Sequence, residues 1–261
     1  VTVSPTPSIF RILEPAKPDP AFAGRCALTV MAKAPVPGKV KTRLSPPLTP
    51  EQAAALNAAF LRDTLGNLGA AAAQTPADCV VSYTPVGQEL AFDGILPPTT
   101  LLIPQRGDSF GERLLATAAD LFRCGYSAVC LIDSDSPTVP TEAFVQAVQT
   151  LLQGAGNGTE PVALGWSDDG GYYLIGLTRP HARLFEDITW STDAVSRQTE
   201  ERAAEAALPL TRLTTWYDVD DAQSLARLQA EMRGDTGVPV GYAAEHTRQF
   251  LLRMESVDAP R

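Results

Sequence analysis

Two aspartates, Asp133 and Asp135, close the most apolar run of the chain, "SAVCLID" (127–133), and open the segment "DSDSPTVP". Carboxylates two residues apart at the mouth of a buried strand can hold a hard cation such as Mg²⁺ or Mn²⁺, with substrate phosphates completing its shell. The same residues also suit a turn in which Asp135 and Ser136 accept from backbone N–H groups before Pro137. A second group carries the opposite charge. Lys33, Lys39, Lys41 and Arg43 fall within the loop-like stretch "MAKAPVPGKVKTRL" (31–44), directly after the apolar "CALTV". Pro35 and Pro37 stiffen it, and Gly38 permits a conformation open to a bound group. Arginine grips two phosphate oxygens at once and lysine acts as a point charge, so the stretch is expected to bind a polyphosphate. The alternative is a solvated loop whose cations meet surface carboxylates. With a single glycine it is not a Walker A loop.

The third group is "SDDGGYYLIGL" (167–177). Gly170 and Gly171 allow backbone to approach a ligand closely, and Asp168 or Asp169 can act as a base or a second metal ligand. The alternative is a hairpin turn, for which Asp-Gly is a strong signal, although a bare turn would not need two acids and two glycines. In "ITWSTDAV" (188–195), Trp190 can stack on a sugar or base or join the core. Ser191 or Thr192 can cap the next helix, whose N-terminus attracts anions. "WYDVDDAQSL" (216–225) brings Asp218 to another strand end, with Asp220 or Asp221 as a helix cap. Arg113, in "QRGDSFGERL" (105–114), can reach a phosphate or pair with an acid. His181 and His246 lack zinc-site spacing, and no G-x-S-x-G elbow is present.

The elements that would position these groups alternate. Strands are expected at 26–32, 78–84, 100–105, 127–133, 161–166, 171–177 and 208–220. Helices are expected at 49–68, 109–125, 140–154, 192–207 and 221–234, with a possible short one at 242–253. Thr49 with Pro50 and Ser109 with Glu112 read as helix starts, Thr141 as a further cap, and Gly69 and Gly125 as helix ends. This order implies an α/β class chain, a Rossmann-like α/β/α sandwich with a mainly parallel sheet. We expect a Pro-rich N-terminal extension over 1–24, poorly ordered or draped on the surface. A single domain follows over 25–234, and a C-terminal tail over 235–261. In such folds ligands bind beyond the carboxyl ends of the strands, where all three groups fall.

The 261 residues carry 21 basic and 30 acidic side chains, a formal charge of −9. That balance argues against nucleic acid and anionic membranes as partners. No apolar run of roughly 18 residues is present for a membrane span. Cys26, Cys79, Cys124 and Cys130 form no C-x-x-C pair, and three lie in apolar runs. Reduced thiols and a cytoplasmic location are expected.

Taken in order, "AKAPVPGKVKTRL", "QRGDSFGERL", "LIDSDSPTVP", "DDGGYYLIGL", "WST" and "YDVDD" resemble a bacterial family of glycosyltransferases, the radical-SAM/selenodomain-associated transferases. The resemblance covers roughly residues 26–230. It implies the nucleotide-diphospho-sugar transferase fold. It also implies Lys33, Lys41 and Arg43 on the nucleotide's phosphates, Asp135 on the metal, and the turn Asp168–Gly171 on the acceptor side or as a second metal element. Asp133 stands where the family usually has glycine, and Trp166 where it usually has proline.

The expectation is a metal-dependent transferase that takes a nucleotide-activated donor and a small acceptor. Glycosyl transfer from a nucleoside-diphosphate sugar comes first. Nucleotidyl transfer, joining a nucleoside triphosphate to a phosphorylated acceptor with release of pyrophosphate, is the alternative. The loop's four cations lean towards it, and its Lys-Thr-Arg-Leu segment is similar to one in the guanylyltransferases of deazaflavin-cofactor synthesis. A non-catalytic nucleotide-binding or scaffold protein is the third reading.

Overall fold

The computed structural model describes residues 10–235, 237 and 240–258, so the first nine residues of the expected extension lie outside the described part. Seven strands form one sheet in the order β3-β2-β1-β4-β6-β5-β7. In chain order they are β1 (Cys26–Lys33), β2 (Ala77–Thr84), β3 (Leu101–Pro104), β4 (Ala128–Ile132), β5 (Val162–Trp166), β6 (Tyr172–Leu177) and β7 (Leu210–Arg212). The helices are α1 (Pro50–Ala72), α2 (Phe110–Cys124), α3 (Thr141–Asn157), α4 (Val195–Glu205), α5 (Ala222–Arg233) and α6 (Glu245–Asp258).

The period of two along β1 decides the layers. Cys26, Leu28, Val30 and Ala32 join a core with Phe60 of α1, Phe144 of α3 and Leu228 of α5. Ala27 turns to the opposite core, with Leu114 and Leu121 of α2 and Ala203 of α4. The result is an α/β/α sandwich.

β1 pairs in parallel with β2 and β4, so chain order reverses between β1 and β4, and a crevice opens at their carboxyl ends. β6 is the antiparallel member of this mainly parallel sheet. It lies antiparallel to both β4 and β5 because only a tight hairpin joins β5 to β6. That hairpin therefore sits at the same sheet edge as the segments following β1 and β4. β7 is shorter than the expected 208–220 strand; beyond it the chain leaves the ladder except for a bridge between Ser167 and Trp216.

Several helix ends follow the sequence. Thr49 and Gln52 form a reciprocal capping box on α1, as Ser109 and Glu112 do on α2. Gly125 ends α2 at φ +115°, where a Cβ would stand 2.9 Å from the Asp19 carbonyl oxygen. Others do not. α1 runs through Gly69 to Ala72. Pro140, with no side-chain bond, precedes α3, and the Thr141 hydroxyl instead donates to Asn67 Oδ1 at 2.6 Å.

The described N-terminal residues are seated on the sheet. Leu13 N donates to Leu102 O at 2.7 Å, Leu102 N returns a bond to Arg11 O, and Phe22 stacks on Tyr126. At the other end, buried Asp63 of α1 accepts from His246 N at 3.0 Å and Thr247 N at 2.7 Å, the first turn of α6. A carboxylate at a helix N-terminus satisfies two otherwise orphaned donors. Asp63→Ala is expected to cost about 3 kcal/mol and to release α6 first. Hydrogen exchange should then show α6 amides losing protection ahead of the sheet; uniform protection would contradict it.

Candidate active site

The chain leaves β1 at Lys33 and turns through Gly38, at φ +70°, into Lys41, at φ +49°. A left-handed lysine is unfavourable by itself, so neighbouring contacts must hold it. The Lys41 ammonium donates to Val219 O at 2.7 Å and lies 2.8 Å from Asp135 Oδ1 and 2.9 Å from Asp220 Oδ1. It also covers the Phe60 ring. Its side chain is 4% exposed. Burial alone would lower its pKa, but Asp135 and Asp220 outweigh burial and hold it above the ordinary lysine value. With three acceptors on three donors, Lys41 pins the β1 loop to the segments after β4 and β7. Expected on phosphate, Lys41 lies here against Asp135 and Asp220 while also lining a cavity with Lys33 and Lys39.

After β4, Asp133 N still pairs with Tyr173 O, so the residue is fixed by the sheet. Its carboxylate accepts from Ser136 Oγ at 2.7 Å and Asp135 N at 3.3 Å. The local turn is thus closed by Asp133, while Asp135 and Ser136, the expected acceptors, act otherwise. Burial, with Asp135 and Asp218 nearby, pushes the Asp133 carboxyl well above the usual range.

The β5–β6 hairpin carries the acidic pair in two directions. Asp169 lines the crevice and accepts from Gly171 N at 2.8 Å. Asp168 is ion-paired with Arg227 of α5. Gly170, at φ +91°, has no room for a side chain: a Cβ would stand 2.1 Å from the Asp193 carbonyl oxygen. That close approach lets Ser196 N bond Gly170 O and ties α4 to the hairpin. α4 starts at Val195 behind Ala194, so neither Ser191 nor Thr192 is its cap. Thr192 Oγ1 instead accepts from Ala194 N and donates to Thr189 O, and Ser191 takes φ +62°.

Two cavities fill the crevice and share Arg43, Asp135 and Asp220. The larger, of 390 Å³, is bounded by Asp133, Asp169, Asp218, Gly171, Ser191, Thr192 and an aromatic group. In that group Trp190 meets Phe110 edge-on at 5.0 Å and Tyr172 at 6.4 Å. The smaller, of 250 Å³, is bounded by Lys33, Lys39, Lys41, Thr42, Ser134 and Asn57. Gly38 and Arg113 line neither; Arg113 donates to Asp108 O at 2.9 Å and lies over Phe110. Asp220, Tyr172, Phe110 and Asn57 were not singled out as site residues from sequence. Asp220, Phe110 and Tyr172 fall within "YDVDD", "QRGDSFGERL" and "DDGGYYLIGL", whereas Asn57 lies in no such segment.

Asp218 accepts from Ser167 Oγ at 3.0 Å. Burial, then Asp169 and Asp220, push its carboxyl up to about 6. Between about pH 4 and 6 the folded protein holds a proton that the unfolded chain has released. Stability from this residue is therefore full below about pH 4 and lost as pH rises through 6. Asp218→Asn is expected to add about 1–2 kcal/mol at pH 7.5, after discounting for partial exposure, and nothing near pH 4. Denaturant midpoints at both pH values check this; an equal effect at both would contradict it.

The donors around the crevice suit a hard cation. They are carboxylate oxygens, and mutual repulsion among Asp133, Asp135, Asp169, Asp218 and Asp220 favours an added positive charge. Among the described residues no three His, Cys, Asp or Glu side chains are arranged to hold an ion together. One or two carboxylates with substrate oxygens completing the shell is the ordinary arrangement for Mg²⁺, and this donor set fits it.

A crystal structure from Desulfovibrio desulfuricans G20, provisionally named a nucleotide-diphospho-sugar transferase, superposes with a TM-score of 0.73 at 29% identity, over 91% of this chain and 100% of the other. The fold is that of the nucleotide-diphospho-sugar transferases. Residues 67–192 match the family described as "Uncharacterized protein conserved in bacteria (DUF2064)", a span that includes Asp133, Asp135, the hairpin and Trp190 but not the basic loop. More distant structures include CMP:2-keto-3-deoxy-manno-octonic acid synthetase complexed with CTP (12% identity, 81% and 99% coverage, TM-score 0.49). Another is the Rv0371c protein of Mycobacterium tuberculosis H37Rv in complex with manganese (14%, 78% and 97%, TM-score 0.43). At those scores neither bears on the reaction. No curated protein matches the sequence. Among the described residues no helix is long and apolar enough to cross a membrane.

Proposed function

We propose that the chain is a metal-dependent glycosyltransferase that moves a sugar from a nucleoside diphosphate to a small hydroxyl-bearing acceptor. One observation carries this reading: a basic lobe and an aromatic, acidic lobe meet at Arg43, Asp135 and Asp220. A nucleotide sugar has the same plan, with a diphosphate joining two polar rings. The 29% identical transferase relative of the same fold supports it.

In this reading Lys33, Lys39 and Arg43 bind the diphosphate, and Lys41 keeps Asp135 in place. Asp135, with Asp133, would hold Mg²⁺ or Mn²⁺, which neutralises charge on the leaving diphosphate when bound. The sugar lies in the larger lobe against Trp190, with Ser191, Thr192 and the Gly170–Gly171 backbone beside it. Asp218 takes the acceptor hydroxyl's proton; a carboxyl near 6 is ionised at neutral pH yet more basic than an ordinary one. Asp169 orients that hydroxyl. The new bond joins acceptor oxygen to the anomeric carbon, while the old carbon–oxygen bond breaks and its electron pair leaves with the diphosphate. Asp168, paired with Arg227, braces the hairpin.

Nucleotidyl transfer drew its support from four loop cations meeting a triphosphate. Lys41 is engaged by Asp135 and Asp220, and Arg43 lies 3.7 Å from Asp220, which leaves Lys33 and Lys39 without a carboxylate among the ion pairs of the loop. Product analysis separates the two. Incubation with nucleotide sugars, nucleoside triphosphates, Mn²⁺ and a panel of small alcohols and phosphorylated alcohols should release nucleoside diphosphate. Release of pyrophosphate instead would establish the nucleotidyl alternative.

A further inference from the structure

Helix α1 carries two buried asparagines, and the fold explains only one of them. Asn67 is partnered at both ends of its amide: Nδ2 donates to Val139 O at 2.7 Å, and Oδ1 accepts from the Thr141 hydroxyl at 2.6 Å. Asn57, 5% exposed, stands within "AAALNAAFL" (53–61), otherwise alanine and large apolar side chains, one turn before the Phe60 ring that the Lys41 ammonium covers. Its Oδ1 is closed off inside the protein and meets no donor among the described residues. The accessible end of the amide is Nδ2, on the wall of the basic lobe, and no acceptor among the described residues meets it there. Asparagine is a poor residue for a helix interior, and a buried unpaired amide oxygen is destabilising, so an alanine would serve the fold better.

We infer that Asn57 is a ligand-binding residue of the basic lobe, whose carboxamide N–H₂ donates a hydrogen bond to a phosphoryl oxygen. The inference rests on the nucleotide-donor reading above and adds a neutral, directional contact to it. The other groups around the lobe say which kind of ligand atom is wanted. Its two carboxylates, Asp135 and Asp220, already receive the Lys41 ammonium. Lys33 and Lys39 line the same lobe and meet no carboxylate among the described residues. Two ammoniums and an amide are thus left without acceptors, and all three are donors. Phosphoryl oxygens at neutral pH accept hydrogen bonds, and several sit on one phosphorus, so a single group can serve more than one of these donors. A lysine ammonium is a point charge on a flexible stem. Asn57 is held by its helix and buried, so its N–H₂ fixes the orientation of the group that the lysines attract.

The test compares wild type with Asn57→Ala, which removes the amide, and Asn57→Asp, which keeps its shape without the N–H₂. Calorimetry would measure inorganic pyrophosphate, UDP, GDP, CDP and ADP, each with Mn²⁺ and at two ionic strengths, and Tm would be recorded without ligand. The Tm of Asn57→Ala is expected to be unchanged or raised. Its affinity for pyrophosphate and for the best-bound nucleoside diphosphate should fall by a similar factor, about tenfold or more, and that of Asn57→Asp further, because a carboxylate also repels the anion. The salt dependence of binding should stay that of wild type in Asn57→Ala, since the lost donor is neutral. Unchanged pyrophosphate affinity in either variant makes Asn57 structural and overturns the inference, leaving the nucleotide reading intact. Weakening of the nucleotide alone makes the amide a nucleoside contact and overturns it too. A flattened salt dependence in Asn57→Ala would show that the residue acts through the lysines, with the same consequence. Wild-type protein that binds pyrophosphate but no nucleotide removes the nucleotide reading, and the pyrophosphate titrations still decide Asn57. Wild-type protein that binds neither removes both readings together.

Discussion

Lys41→Ala is expected to lower the unfolding free energy by about 3 kcal/mol, more than loss of any exposed cation in the same loop. The lysine is 4% exposed, and its three donors meet Val219 O, Asp135 and Asp220. Truncation leaves two carboxylates facing each other without the charge between them. Breaking a buried ion pair from one side costs roughly 3–5 kcal/mol. Asp135 and Asp220 are 30% and 42% exposed, so water screens part of the loss and the lower end applies. The left-handed turn at Lys41 would also lose the contacts that hold it. Lys39→Ala, at an exposed position, should stay within about 0.5 kcal/mol. Urea midpoints for the two variants decide the matter. A Lys41→Ala protein as stable as wild type but weak in nucleotide binding would return this lysine to the ligand.

Asp135→Asn is expected to reduce turnover by about 10²–10³-fold while the protein stays folded. The amide keeps an oxygen acceptor for the Lys41 ammonium, so the clasp between loops survives. What disappears is the charge that would bind a divalent cation at the junction of the two lobes. Loss of metal-derived charge stabilisation is worth several kcal/mol, which corresponds to that range of rates. The variant should also lose its dependence on added Mn²⁺. Wild-type turnover in Asp135→Asn would remove Asp135 from the reaction.

How far the sequence foretold this arrangement depends on the distance over which each feature is decided. β1 and the starts of α1 and α2 are local matters. A continuous apolar run makes the strand, and Thr49 with Gln52 or Ser109 with Glu112 close their own caps. The placement of acids after strands was legible too, because a parallel sheet collects its loops at one edge. The fate of Lys41 was not. Its partner Asp220 lies 179 residues away, and no local pattern distinguishes a lysine held by carboxylates from one awaiting phosphate. The adjacent Asp168 and Asp169 were equivalent on paper. The hairpin sends one towards Arg227 and the other into the crevice. The direction of β6 was not legible from its apolar run, which is the same whichever way it points. The five residues between β5 and β6 are too few for a crossover, which is the clue that marked it antiparallel.

A nucleoside diphosphate and a divalent cation are expected to meet at Arg43, Asp135 and Asp220. The most direct measurement is thermal unfolding of wild-type protein with nucleoside diphosphates and their sugar conjugates, with and without Mn²⁺. At 100 times the dissociation constant a ligand adds about 2.7 kcal/mol of stability, well within reach of such a measurement. The predicted result is stabilisation by one diphosphate and its sugar conjugate that depends on Mn²⁺ and vanishes in Asp135→Asn. Unchanged unfolding across the whole panel, with metal present, would contradict it.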